Sequence, residues 1–127
     1  MARPKSFDQE KAMLNAMLLF WRKGYEATSV KDLENTTGLK TSSLYNTFGS
    51  KEQFFLNILK HYSEFVIGDR IKRYLTQNDP VKSICDFYTT CFTDLPEGQE
   101  GIACLLVNTT AEMAIHHEAV RDIVIQN

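Results

Sequence analysis

Two short helices that meet at a glycine are the feature that most constrains this chain. Ser29 and Asp32 have the spacing of a capping box, which starts a helix, and Gly38 tolerates the left-handed backbone that ends one. Residues 41–48 can then form about two helical turns before Gly49 ends the second helix. This segment is therefore predicted to fold as two helices joined by a tight turn.

A longer helical pattern precedes this pair. Met13, Ala16, Met17 and Phe20 recur at the spacing of a helix face, after a capping box that starts at Ser6. Residues 1–50 are thus predicted to form a three-helix head in which the first helix packs against the two short ones.

The remainder of the chain is also predicted to be helical. A third capping box, starting at Ser50, opens an apolar pattern that runs to Val66 and predicts a long helix. Asp79 and Pro80 are typical of a helix start, and this helix is predicted to reach about residue 94. Two further helices are predicted, from about residue 101 to 115 and from Glu118 onward. No segment alternates with period two between hairpin turns, so the predicted fold class is all-α.

Composition excludes several classes of protein. No run of about 18 apolar residues is present and the N-terminus lacks a signal-peptide pattern, which predicts a cytoplasmic protein without a membrane partner. The cysteines at 85, 91 and 104 form no C-x-x-C pair, so free thiols are expected and neither a disulfide framework nor a structural zinc site is predicted. No glycine-rich phosphate loop, nucleophile elbow or paired-carboxylate site stands out. We therefore predict no enzyme activity, no cofactor and no metal.

Charge is divided unevenly along the chain. The formal net charge is −2, but residues 1–60 carry nine Lys and Arg against six Asp and Glu, whereas residues 61–127 carry five against ten. A positive first half and a negative second half suit a protein that touches phosphates with its N-terminal part only.

The second short helix carries the side chains that point to a function. Hydrogen-bonding groups cluster along it, and Lys40 and Lys51 flank it. A helix-turn-helix places its second helix in the major groove of DNA, where such groups meet base edges and phosphates. The polar residues of this helix are Ser42, Ser43, Tyr45, Asn46 and Thr47. The segment from Ser29 to Phe48 is therefore predicted to bind duplex DNA.

The segment GYEATSVKDLENTTGLKTSSLYNTFGSKEQFF resembles the N-terminal signature of the TetR/AcrR family of bacterial repressors. The resemblance spans about residues 10–60. A shorter segment, ACLLVNTTAEMA, looks like part of the ligand domain in one branch of that family. The residues at the family's positions are Phe20, Gly24, Tyr25, Thr28, Val30, Leu33, Gly38, Leu44, Tyr45, Phe48, Lys51 and Glu52.

The resemblance implies a set of DNA contacts. Thr28 and Ser29, at the start of the second helix, are expected to contact phosphate, as is Lys51. Asn46 is a candidate for an adenine edge. The remaining residues expected to line the operator are Lys40, Thr41, Ser42, Ser43 and Tyr45.

Three residues depart from the family's pattern. Many members have alanines where this chain has Glu34 and Thr37, and a serine where it has Lys40. These changes are expected to alter the cap of the third helix while leaving the framework intact.

The resemblance also implies a regulatory half. Residues 51–127 are expected to form a helical ligand-binding and dimerisation domain that encloses a small-molecule inducer, and to lack the two C-terminal helices through which family members dimerise. An aromatic stripe at helical spacing is also typical of a plain core, so that alternative stays open for each pocket candidate. The candidates are Tyr62, Phe65, Phe87, Tyr88, Cys91, Phe92, Leu105, Asn108, Thr109 and Glu112.

The expected partners are a double-stranded operator, a small-molecule inducer and a second copy of the chain. An operator with two half-sites requires a two-fold dimer. The predicted function is thus a repressor that a ligand releases from a palindromic operator. The alternative is a helical interaction module that modulates a full-length regulator without binding DNA itself.

Overall fold

The computed structural model describes residues 5–100, 102–113 and 117–126, with side chains from residue 9 onward. Every regular element in these ranges is helical, which confirms the all-α prediction. The elements are α1 (Lys5–Lys23), α2 (Val30–Thr37), α3 (Thr41–Phe48), α4 (Lys51–His61), a π-helical segment (Tyr62–Ile67), α5 (Gly68–Tyr74), α6 (Pro80–Thr93), α7 (Leu105–Met113) and α8 (Glu118–Ile125). Within the same ranges, no helix has the length and apolar character needed to cross a membrane.

The two short helices lie where the sequence predicted them. Ser29 caps α2 with a complete capping box, because its side chain accepts from the Asp32 backbone and the Asp32 side chain accepts from the Ser29 backbone. Gly38 ends α2 with a φ of 73°, the left-handed conformation that glycine adopts at low cost. Gly49 ends α3, as predicted, and also has a positive φ, of 90°.

The predicted long helix is also confirmed. Ser50 starts α4 with a second capping box. The backbone remains helical through Tyr62 and Gly68, so α4, the π-helical segment and α5 form one continuous rod. Asp79 caps α6 by accepting from the Lys82 backbone N–H, and Pro80 is its first residue, as predicted.

Two helix starts differ from prediction. α1 is already helical at Lys5, the first residue that the structure describes, so Ser6 lies inside the helix rather than at its N-cap. α7 begins at Leu105 instead of near residue 101, because the preceding segment is held against α1: the Trp21 indole N–H donates to the Ala103 carbonyl at 2.8 Å, and the Gln99 amide donates to the Leu18 carbonyl at 2.9 Å. Residue 101 itself and the predicted end of α7 near residue 115 lie outside the described residues.

One hydrophobic core joins the head to the later helices. In the head, Leu33 and Leu44 are fully buried below α1. Phe20 of α1 lies 4.9 Å from Phe55 of α4, measured between ring centroids. The same core continues to Val120 of α8. Because α1 and α4 share this core, the position of the rod is coupled to the position of the head.

Candidate nucleic-acid interface

α3 separates an apolar face from a polar face. Leu44 and Phe48 are buried on one side of the helix. On the other side, the short polar side chains are exposed to solvent. These exposed residues are Ser42, Ser43, Asn46 and Thr47. A helix with this division can enter a groove without disturbing its own packing.

Glu34 caps α3 from the neighbouring helix. Its carboxylate accepts from the Thr41 backbone N–H at 2.7 Å and from the Thr41 hydroxyl. Lys40 occupies the N-cap position and makes no side-chain cap of its own. The Thr41 hydroxyl and then its backbone N–H lower the pKa of Glu34, which keeps the carboxylate ionised. The family departures at Glu34 and Lys40 are therefore complementary, since the first provides the cap that the second cannot.

The start of α2 carries a small charged network. The Lys23 ammonium donates to Asp32 at 2.6 Å, and this contact, followed by those from Ser29, lowers the pKa of Asp32 to about 2. The Ser29 side chain is exposed. Thr28 differs, because its side chain is fully buried and its hydroxyl donates to the Gly24 carbonyl at 2.6 Å. Of the two predicted phosphate contacts here, only Ser29 presents its hydroxyl to solvent.

Lys51 lies at the first turn of α4, beside α3. Its ammonium sits 4.3 Å from the centroid of the Tyr25 ring, in a cation–π contact. The Tyr25 ring packs in turn against Phe55, at 4.9 Å between centroids. The Tyr25 ring thereby fixes the ammonium at the start of α4, and the Lys51 side chain is half-buried.

The structure brings most of the predicted DNA-contacting residues to one region of the head. Lys40 is exposed at the start of α3, and Thr41 and Tyr45 are half-buried within it. This region combines hydroxyl and amide groups on α3 with ammonium groups at Lys40 and Lys51, which is the chemistry of a surface that contacts both base edges and phosphates.

The predicted pocket residues do not share one location. Tyr62, Leu105 and Thr109 are buried, and burial raises the pKa of the Tyr62 hydroxyl, which donates to Cys104 Sγ at 3.2 Å. Others are exposed on helix surfaces: Phe65, Tyr88 and Phe92. Four remain: Phe87 and Cys91 are half-buried on α6, Asn108 donates to the Ala103 carbonyl, and Glu112 contacts the turn after α1.

A cavity of about 460 Å³ lies between α1, the rod at the π-helical segment and α5, and the segment after α6. Of the ten predicted pocket residues, only Phe65 lines it. The sequence pattern missed the contribution of α1, which supplies Met17 and Trp21, and the charged groups Arg70 and Arg73. In the described residues, no group of three His, Cys, Asp or Glu side chains could hold a metal ion, and the cysteines are free.

A three-helix head with an exposed polar third helix, followed by a long helical rod, defines a helix-turn-helix protein. Residues 14–58 match the family described as bacterial regulatory proteins, tetR family. The chain is 34% identical over 118 residues to the HTH-type transcriptional repressor ComR of Escherichia coli (strain K12), covering 88% of this chain and 54% of ComR. This chain belongs to the tetR family of bacterial regulatory proteins.

Two further similarities agree with this membership. The uncharacterized HTH-type transcriptional regulator YezE of Bacillus subtilis (strain 168) is 30% identical over 116 residues, covering 91% of this chain and 60% of YezE. The TetR family transcriptional regulator CifR, solved with 26-base-pair double-strand operator DNA, superposes with a TM-score of 0.80 at 28% identity, covering 98% of this chain and 65% of that one. The chain thus spans just over half the length of both ComR and YezE.

Proposed function

We propose that this chain binds a DNA operator through α3 and acts as a transcriptional repressor in the cytoplasm. The observation that carries the proposal is the division of α3 into a buried Leu44–Phe48 face and an exposed face of short polar side chains. ComR carries the name of a repressor, and CifR was solved on operator DNA. These relatives are regulators, which agrees with the prediction of no enzyme activity and does not favour the alternative of an interaction module.

Each residue predicted to contact DNA has a role in the proposal. Asn46, Ser42 and Ser43 reach base edges in the major groove, where amide and hydroxyl groups can both donate and accept. Lys40 and Lys51 neutralise phosphates on either side of the groove. Three further residues hold α3 in place or add phosphate contacts: Ser29, Thr41 and Tyr45. Thr28 organises the turn that precedes α2, because its hydroxyl is already bonded there.

Selection from a random duplex library tests the proposal. The protein is expected to enrich a sequence with two related half-sites, and to bind it in the presence of excess random DNA at about 150 mM salt, where non-specific contacts weaken. Two chains per duplex are expected, because half-sites need two heads. Failure to enrich any sequence over random DNA would overturn operator binding. It would favour the alternative, an interaction module that does not bind DNA itself.

Homodimerisation is part of the proposal. α6 presents apolar side chains to solvent at helical spacing, with 73% of Val81 and 70% of Phe92 exposed. Apolar faces of this kind are typical of surfaces that pack against another helix. A dimer would also bring two positively charged heads to one duplex. Residues 51–127 thus serve as the ligand-binding and dimerisation half in this proposal.

Replacing Lys40 with alanine is expected to weaken binding about equally for every DNA sequence. Removal of one cation that neutralises a phosphate reduces the slope of log affinity against log salt concentration by about one. Fluorescence anisotropy with the selected duplex at several salt concentrations measures the slope. Lys72→Ala is the matched control, because Lys72 is exposed on α5, far along the chain from α3. An unchanged slope for Lys40→Ala would remove Lys40 from the interface.

The small-molecule ligand is proposed to bind the 460 Å³ cavity. Its wall joins apolar groups of Met17 and Trp21 with Arg70, which is only 6% exposed. Arg70 donates to the Asp94 carbonyl at 3.1 Å, and among the described residues no acidic side chain forms an ion pair with it. Arg73, by contrast, pairs with Asp69 at 2.8 Å. The lining also holds two carboxylates, of which Asp69 pairs with Arg73 while Asp94 forms no ion pair with Arg70. We propose an apolar ligand whose negatively charged group binds the Arg70 guanidinium.

Octanoate is expected to change the fluorescence of Trp21, the single tryptophan, at concentrations about tenfold lower than neutral octanamide. The two probes have the same chain and differ in charge at one end. Arg70→Met should abolish the difference, whereas Arg73→Met should preserve it, because the Arg73 charge already has a partner. Equal responses to both probes would contradict the assignment of Arg70.

A further inference from the structure

The carboxylate of Glu112 joins α7 to the turn between α1 and α2. The Tyr25 backbone N–H donates to Glu112 Oε2 at 3.0 Å, and the Glu26 backbone N–H donates to Oε1 at 2.7 Å. Each carboxylate oxygen therefore accepts one of two successive backbone donors. The residues joined in this way are 87 and 86 positions apart in the sequence, so the contact links the head to the regulatory half.

The turn is shaped to accept this carboxylate. Gly24 follows the last residue of α1 with a φ of 86°, which exposes the next two N–H groups side by side. Successive N–H groups after such a left-handed residue form a concave site for an anion. A Cβ added to Gly24 would lie 3.0 Å from Glu112 Oε2. The positive φ favours glycine at this position, and a Cβ there would also require the Glu112 carboxylate to shift by a few tenths of an ångström.

The same turn positions a group at the DNA-binding surface. Tyr25 gives its N–H to Glu112 and places its ring under the Lys51 ammonium, at 4.3 Å. The ring also packs against Phe55 of α4 and lies 6.2 Å from the ring of His117, just before α8. Tyr25 is therefore the point at which α4, α7 and the segment before α8 meet the head. A displacement of α7 would pull on the backbone of the residue that holds Lys51.

We propose that Glu112 is a positioning residue for DNA binding, acting through the Tyr25 turn on Lys51. The proposal rests on the proposed operator binding. In the DNA-binding arrangement the carboxylate holds the turn, and Lys51 is presented to phosphate; when α7 moves away, the two N–H groups lose their acceptor and Lys51 loses its fixed position. A carboxylate is suited to this role because hydrogen bonds to an ionised acceptor are stronger than neutral ones, and both break together when the helix moves.

Glu112→Ala is expected to weaken binding to the library-selected duplex by roughly tenfold, with Glu112→Gln in between, because an amide retains one acceptor oxygen. Hydrogen exchange at the Tyr25 and Glu26 amides should accelerate in Glu112→Ala, since both donors lose their partner. The slope of log affinity against log salt should also fall by about one, as it would for Lys51→Ala. Glu118→Gln, an exposed change on α8, is the matched control and should alter none of these.

A double-mutant cycle separates positioning from a purely local structural role. If Glu112 acts through Lys51, Glu112→Ala in the Lys51→Ala background should cost little further affinity. Additive losses, or normal affinity despite faster exchange at Tyr25 and Glu26, would overturn the positioning role. If the wild-type protein enriches no duplex, both the proposed operator binding and the positioning role are overturned. If the wild type binds the selected duplex and the Glu112 variants bind it equally well, only the positioning role is overturned.

Discussion

Leu44→Ala is expected to destabilise the protein by about 2–5 kcal/mol, because it leaves a cavity at the centre of the head. Leu44 is fully buried on α3, in the same core as Leu33 and Phe48. A cavity at this point weakens the packing that holds α3 against the rest of the head, so operator binding should fall along with stability. Urea unfolding followed by circular dichroism measures the change in the free energy of unfolding.

Ser43→Ala is the control for this effect. Ser43 precedes Leu44 on the same helix but faces solvent. Its substitution should change the free energy of unfolding by less than about 0.5 kcal/mol, as expected for a surface site, while weakening operator binding. Equal destabilisation by both variants would show that α3 is not divided into a packing face and a DNA face. Tyr45→Phe, with its half-buried ring, should likewise affect binding more than stability.

The local signals in the sequence are sufficient to predict the helix-turn-helix. Ser29, Gly38 and Gly49 act on the few residues next to them, through capping hydrogen bonds and backbone angles. Such interactions depend only on nearby sequence, and the structure has them where the sequence predicts them. Ser6 differs from these positions, because the backbone is already helical at Lys5.

Contacts between distant segments cannot be predicted in the same way. The departure at Glu34 predicts a change in the cap of α3, but it does not predict that Glu34 itself caps the helix through Thr41. The family resemblance groups Glu112 with the pocket candidates, yet Glu112 binds the turn after α1. In both cases the partner is a backbone N–H group, which nearly every residue carries, so the sequence holds no pattern that identifies it. Only the packing of the helices decides which donors an isolated carboxylate meets.

The aromatic pattern of residues 51–127 shows a second limit of prediction from sequence. Tyr62 and Phe65 both follow the helical spacing of the long rod, but Tyr62 is buried against Trp21 whereas 63% of Phe65 is exposed. Periodicity identifies a face of a helix without identifying what covers it. The π-helical segment rotates this part of the rod further, since it adds residues per turn between Tyr62 and Ile67. The location of the cavity therefore depends on tertiary structure.

Gly49→Ala is expected to destabilise the protein more than Gly38→Ala, the corresponding change at the end of α2. Gly49 has a φ of 90° and a ψ of −116°, a conformation that L-residues occupy at a cost of about 1–3 kcal/mol. An added Cβ would also lie 1.7 Å from Gln53 Oε1, the atom that accepts from the Ser50 backbone in the capping box of α4. Displacing the Gln53 side chain removes this one hydrogen bond of the capping box, at a cost of about 0.5–1 kcal/mol, while the Ser50 hydroxyl still accepts from the Gln53 backbone N–H.

Gly38→Ala measures the cost of backbone strain without the clash that an added Cβ at residue 49 makes with Gln53. Gly38 also has a positive φ, of 73°, but an added Cβ would meet nothing within 4 Å. Its cost should be limited to backbone strain, about 1–2 kcal/mol. Urea unfolding should therefore show that Gly49→Ala lowers the free energy of unfolding more than Gly38→Ala does. The difference between the two variants should become smaller when each change is made separately in a Gln53→Ala background. Because Lys51 lies two residues after Gly49, the Gly49 variant should also weaken operator binding; equal costs at the two glycines would mean that the Gln53 cap does not hold the start of α4.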